Sequence, residues 1–261
     1  MNLNLKNKNA LVCGSTQGIG KATAIALATE GVNVILVARD EIKLQKVVSE
    51  LPSNNQIHNY IVVDFSNPEN LRTKISNYIS NYHGFHILIN NTGGPKGGPV
   101  FSAELDEFQN AFTQHLKCNH ILVQALVPFM KSEGYGRIIN VISTSVKQPL
   151  DGLGVSNTIR GAVGNWSKTL ANELGQFGIT VNNVLPGATA TERLSEIIKN
   201  KASKTGVSIE DATKTMQNAI PAKRFAKPEE TASAITFLAS EVASYINGIN
   251  LPVDGGRTKS L

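Results

Sequence analysis

Cysteine is scarce. The 261-residue chain has two, Cys13 and Cys118, far apart in sequence. That excludes a disulfide framework and any cysteine-based metal spacing, so no metal is expected and a reduced, cytoplasmic setting is. Long apolar runs are missing as well. No stretch approaches the ~18 uninterrupted apolar residues of a membrane span, so no membrane partner is expected. The opening residues MNLNLKNKNALVCG have neither a long apolar segment nor a small-residue cleavage site, which argues against a secretory leader. Blocks of about five or six like charges are also lacking. The 25 Lys and Arg are scattered, and the net charge of +5 therefore points to an anionic small molecule or carrier rather than to nucleic acid.

What remains is an ordinary globular composition, 41% hydrophobic and 17% charged, sized for one large domain. Short runs rich in Val, Ile and Leu recur: NALVCG (9–14), VNVILVAR (32–39), NYIVVDF (59–65), FHILINN (85–91), GRIINVIS (136–143), ITVNNVLPG (179–187) and NLPVDGG (250–256). They alternate little with polar residues, as strands covered on both faces do. Helical patterns lie between them at 18–30, 41–51, 68–82, 104–132, 156–177 and 228–240. Val155, Ile159, Val163, Trp166, Leu170 and Leu174 form one apolar helix face, suited to an internal core or to a subunit interface. Repeated strand–helix–strand units predict an α/β, doubly wound Rossmann fold with a seven-stranded parallel sheet. No linker, low-complexity segment or repeat divides the chain, so residues 1–261 read as one domain. The more polar stretch 192–222 falls outside the alternation and reads as a substrate lid.

CGSTQGIG (13–20) ends the first strand and opens the first helix. Gly14, Gly18 and Gly20 allow a sharp turn and close approach of backbone to a ligand. The helix N-terminus behind them suits a pyrophosphate. The spacing is G-x-x-x-G-x-G, and four further motifs follow in order: NNTGG (90–94), VNNVLPGATAT (181–191), RFAKPEETA (224–232) and YINGINLPVDGG (245–256). Together they resemble the short-chain dehydrogenase/reductase family along nearly the whole chain, with overall similarity to its 3-oxoacyl-(acyl-carrier-protein) reductases.

The resemblance implies a nicotinamide dinucleotide held by Gly14, Ser15, Thr16, Gln17, Gly18, Ile19 and Gly20. It places Asp64 and Phe65 at the adenine, Asn91 and Gly93 on the loop begun by Asn90, and Pro186, Gly187, Thr189 and Thr191 near the nicotinamide and diphosphate. At the end of the second strand, Ala38 stands where NAD-binding members carry an acid. Arg39 follows and offers a planar fork to a 2′-phosphate. NADP(H) is expected over NAD(H), with neighbouring Asp40 keeping the alternative open. The family also implies a small-molecule or acyl-carrier substrate and assembly as a homotetramer or homodimer.

The resemblance further implies four catalytic positions, occupied here by His115, Ser143, Ser156 and Arg160. Only Ser143 keeps the family's residue; Ser156 and Arg160 replace its Tyr-x-x-x-Lys. Tyrosine has a reference pKa of about 10 that a cation can lower. A serine hydroxyl does not titrate in that range, and arginine does not deprotonate, though Arg160 can still bind the cofactor's ribose hydroxyls. Two groups could donate the proton instead: His115, or Lys147 four residues past Ser143. A packed helix histidine and a solvated loop lysine are the plain alternatives. Three functional readings stay open: a reductase or dehydrogenase with a non-standard donor, a catalytically silent NADP(H)-binding sensor or partner protein, and a non-redox enzyme on the same fold.

Overall fold

A computed structural model describes residues 1–260. The apolar runs form β1 (Asn9–Cys13), β2 (Asn33–Ala38), β3 (Asn59–Val62), β4 (Ile87–Asn90), β5 (Gly136–Val141), β6 (Ile179–Pro186) and β7 (Asn250–Val253). They pair in one all-parallel sheet of order β3-β2-β1-β4-β5-β6-β7. Among the described residues nine helices connect them: α1 (Gly18–Thr29), α2 (Glu41–Glu50), α3 (Pro68–Asn81), α4 (Leu105–Phe112), α5 (Cys118–Glu133), α6 (Gly154–Leu174), α7 (Glu192–Thr205), α8 (Ile209–Asn218) and α9 (Pro228–Leu238). The doubly wound fold and the seven parallel strands are as the sequence predicts.

Alternation explains why the strands read as continuous apolar runs. Leu11, Ile35, Leu88, Ile138 and Val181 face α3, α5 and α6. Their neighbours Val12, Leu36, Ile89, Ile139 and Val184 face α1, α2 and α9. Both faces are covered, so both sets must be apolar. The stripe of α6 is resolved the same way. Val155, Ile159, Val163, Leu170 and Leu174 are buried within the chain itself, and only Trp166 is half-exposed. It therefore serves the internal core.

A row of amides crosses the sheet. Asn90, Asn140, Asn183 and Asn250 stand in register on four adjacent strands. Asn90 Nδ2 donates to Asn140 Oδ1 at 2.8 Å, Asn140 to Asn183 at 3.0 Å, and Asn183 to Asn250 at 2.8 Å. Buried amides are costly unless paired, and here the three pairings come from neighbouring strands, with Asn90 Oδ1 alone of the row left unpartnered.

Two segments refine the predicted helices. The helix expected over 104–132 carries a π turn, Thr113–Lys117, between α4 and α5, and His115 lies in it. Such turns often mark functional positions because they shift the helix register by one residue. Residues 192–222 form α7 and α8, capped by Thr191 and Ser208, with a small core of Leu194, Ile198, Ala202 and Ala212.

Candidate functional site

The strand order reverses between β1 and β4, and ligands of open α/β sheets bind at the carboxyl ends of strands at such a reversal. The loops after β1 and β4 meet there. Gly14 has φ +59°, and a Cβ on it would overlap the Asn91 carbonyl oxygen. A Cβ on Gly20 would overlap the Gly14 carbonyl oxygen. Asn91 Nδ2 donates to the carbonyls of Cys13 and Gly14, both at 3.2 Å. The turn is thus closed by backbone contact, with Asn91 as its clamp.

At the start of α1, Gln17 makes no side-chain cap, and the first turn holds no acidic residue. The leading N–H groups and the positive end of the helix dipole have no resident anion. This uncapped start behind a glycine turn fits a dinucleotide pyrophosphate. Thr16, Gln17, Gly18 and Thr191 line an adjoining cleft of about 460 Å³, which Lys21 and Lys46 also border. Ile19 is half-buried on α1. Ser15 is placed differently from expectation. It is fully buried, and its hydroxyl accepts from the Val37 N–H at 3.2 Å, so the side chain ties the turn to β2 instead of facing a ligand. Phe65 is likewise turned inward, its ring packed in the core where an apolar side chain gains most from burial.

At the end of β2, the Asp40 carboxylate accepts from the Lys43 N–H at 3.1 Å and caps α2. The competing acid is therefore engaged locally. The Arg39 side chain is 81% exposed, with one carboxylate, Asp64, at 4.0 Å. Asp64 is in turn fixed by the Ser66 N–H at 2.8 Å, which, ahead of the nearby Arg39 charge, holds its carboxyl below the usual range.

The four positions that the family resemblance makes catalytic stand on three elements: Ser143 follows β5, His115 lies in the π turn, and Ser156 and Arg160 are on α6. The Ser143 hydroxyl accepts from the Ser145 N–H at 3.1 Å, leaving its own hydrogen available to a ligand oxygen. Ser156 is half-buried on α6, one turn before Arg160. Arg160 is 7% exposed and donates to the Val141 carbonyl at 3.2 Å and the Thr92 carbonyl at 3.5 Å; its Nε has no partner. Burial, and secondarily Arg193, lower its pKa to about 10, so it stays charged near neutrality. His115 is buried with Nδ1 2.6 Å from Thr92 Oγ1 and Nε2 unpartnered. Burial first, then the Arg160 charge, push its pKa to about 2, and the imidazole is neutral. Lys147 closes the short turn Thr144–Val146, half-buried.

Gly93 sits on an open part of the β4 loop, with no atom within 4 Å of where a Cβ would be. Pro186 ends β6, and a Cβ on Gly187 would lie 2.7 Å from Asp254 Cα, so this glycine lets β6 leave the sheet against the C-terminal segment. Thr189 is buried, and Thr191 caps α7. Two participants escaped sequence reasoning. Thr92, inside the quoted NNTGG, joins His115 to Arg160. Arg193, at the start of α7, donates to the Pro95 carbonyl at 2.9 Å. Only its place two residues after Thr191 hinted at the site. Among the described residues no cluster of three metal-ligating side chains exists, and no helix is long and apolar enough to cross a membrane.

Comparison with known proteins extends over the same residues. A family model described as enoyl-(acyl carrier protein) reductase matches residues 14–258. The NADPH-dependent reductase BacG of Bacillus subtilis is 31% identical, over 98% of this chain and all of that protein. The 3-oxoacyl-(acyl-carrier-protein) reductase FabG of Vibrio cholerae is 32% identical, over 97% of this chain and 98% of that one. Among solved structures, the L-sorbose reductase of Gluconobacter frateurii, complexed with NADPH and L-sorbose, superposes with a TM-score of 0.94 at 32% identity, covering both chains fully.

Proposed function

The chain belongs to the short-chain dehydrogenase/reductase family, and from that premise we propose that it is an NADP(H)-dependent oxidoreductase that reduces a carbonyl, or oxidises the matching alcohol, with a proton donor other than tyrosine. The observation that carries this reading is the uncapped, glycine-closed start of α1, set beside a polar cluster at the ends of β4 and β5. NADP(H) is favoured over NAD(H) because Asp40 is engaged as a helix cap while Arg39 extends into solvent. The names of similar proteins point the same way.

When bound, the reduced nicotinamide supplies a hydride to the carbonyl carbon, and the protein must supply a proton to the oxygen. Ser143 orients that oxygen through its free O–H. Arg160 holds charge and has N–H groups enough for a ribose hydroxyl and a substrate oxygen together, but does not give up a proton. His115, neutral and bound to Thr92, has no imidazolium proton to give near neutral pH. That leaves Lys147 as the donor, an ammonium with three N–H groups on the loop following Ser143. Among the described residues no carboxylate pairs with it. Residues 192–222 cover the substrate in this reading. Assembly through α5 and α6 is supported by the half-exposed Trp166, edge-on to His120 at 6.2 Å on their outer faces.

The test is turnover of NADPH with ketones, aldehydes, quinones and 3-oxoacyl thioesters, followed by nicotinamide absorbance. Turnover that Lys147→Met abolishes supports the proposal. A second reading, a silent NADP(H)-binding sensor, is favoured by one observation: neither Ser156 nor His115 can act as an acid near neutrality. Tight NADPH binding without turnover across the panel decides for it.

A further inference from the structure

Arg160 is a buried cation without a counter-charge. Its acceptors are two main-chain carbonyls, its Nε is unpartnered, and no carboxylate among the described residues lies within salt-bridge distance. A buried charge is costly unless paired. A charge of the same sign lies close by. Arg193, reaching over from the start of α7, is held there by the Pro95 carbonyl at 2.9 Å and likewise has no carboxylate partner. The two guanidiniums border one open space. A Cβ on Gly94 would lie 3.7 Å from Arg193 Nη2 and 3.8 Å from Arg160 Nη2, so the missing side chain leaves room between them.

Resting on the reading of this site as an oxidoreductase centre, we propose that Arg160 and Arg193 form a subsite for a carboxylate, and that the substrate is a carbonyl compound bearing one. The chemistry favours a planar anion. Each guanidinium presents parallel N–H donors that match carboxylate geometry, and bringing an anion between them removes the repulsion of two like charges. Arginine at position 160 also keeps its charge over the whole physiological range. Arg193 sits on the lid segment, so a bound carboxylate would tie that segment to the β4 loop across the substrate.

The experiment separates this subsite from turnover by using the protein loaded with NADP⁺, where no reduction can proceed. Calorimetry measures the affinity of pyruvate, 3-oxobutanoate and 2-oxo-4-phenylbutanoate, each against its own ethyl ester. At least one acid binds about tenfold or more tighter than its ester, the worth of one charge-assisted pair. The advantage falls as salt rises, because Arg193 is exposed. Arg193→Gln abolishes the preference while NADP⁺ affinity and melting temperature hold, and Arg193→Lys restores part of it. Three results overturn the proposal: no acid binds better than its ester, the preference survives Arg193→Gln, or Arg193→Gln weakens NADP⁺ by the same factor. A carboxylate preference in a protein that turns nothing over keeps the subsite and discards the reductase reading.

Discussion

The hydroxyl of Thr92 lies 2.6 Å from Nδ1 of His115, a residue of the π turn, while the Thr92 carbonyl accepts from the buried Arg160. This contact gives the histidine a structural role: it holds the β4 loop to the α4–α5 helix, and it does so as a neutral ring.

The neutrality has a measurable consequence for stability. The ordinary histidine pKa is 6.5 and that of His115 is lowered to about 2, by burial and then by Arg160. Between those values the unfolded chain binds a proton that the folded chain does not. Stability therefore rises with pH through this window and falls as the solution is acidified below 6.5. One such histidine contributes about 1.4 kcal/mol per pH unit well below its unfolded pKa. Urea unfolding of His115→Asn between about pH 4.5 and 6.5, where the carboxylates titrate alike in both proteins, is expected to show a smaller slope, the difference approaching that amount at the acid end. His58 and His86, also lowered by burial, retain their own contribution in both proteins.

Lys147→Met is expected to lower kcat by about a hundredfold or more, the usual worth of a positioned acid. The Kd for NADPH should stay within about twofold, since neither the glycine turn nor Arg39 is disturbed. An unchanged kcat removes Lys147 as the donor.

Arg39→Ala tests the choice of dinucleotide. Loss of a charge-assisted contact to the 2′-phosphate should raise the Kd for NADPH by about tenfold or more. NADH, which lacks that phosphate, should bind as before. Asp40 should not take over, because its carboxylate caps α2. Equal weakening of both nucleotides would contradict a specific 2′-phosphate contact.

The amide row across the sheet predicts a stability cost that involves no charged group of its own. Asn140→Ala leaves Asn90 Nδ2 and Asn183 Oδ1 without their partners at 2.8 and 3.0 Å. Buried unpaired amides cost about 1–3 kcal/mol each. A loss of about 2–4 kcal/mol in denaturant unfolding is expected, with the denaturant slope unchanged.

Much of this molecule is written locally. Apolar runs such as VNVILVAR can only be strands covered on both sides, and the face from Val155 to Leu174 only a helix with a dry side. The glycine turn after β1 is legible because φ of +59° at Gly14 and backbone contact at Gly20 admit no side chain. That Ser156 and Arg160 stand one turn apart on one helix was also legible, because the apolar face of α6 runs through them without a gap. These features depend on neighbours a few residues away, and the order of residues determines them.

What only the tertiary structure decided is where each polar group spends its hydrogen bonds. Ser15 is bound to Val37, Asn91 to the turn it was expected to accompany, and Asp40 to its own helix. Arg160 meets Thr92 across 68 residues of sequence, and Arg193 meets Pro95 across 98. Whether a side chain faces a ligand or is already satisfied depends on donors and acceptors brought together by sheet order, which no local pattern records. The same physics turned His115 from a candidate acid into a buried brace: burial beside a cation removes its proton, and neither the burial nor the cation is visible in HLKCNH.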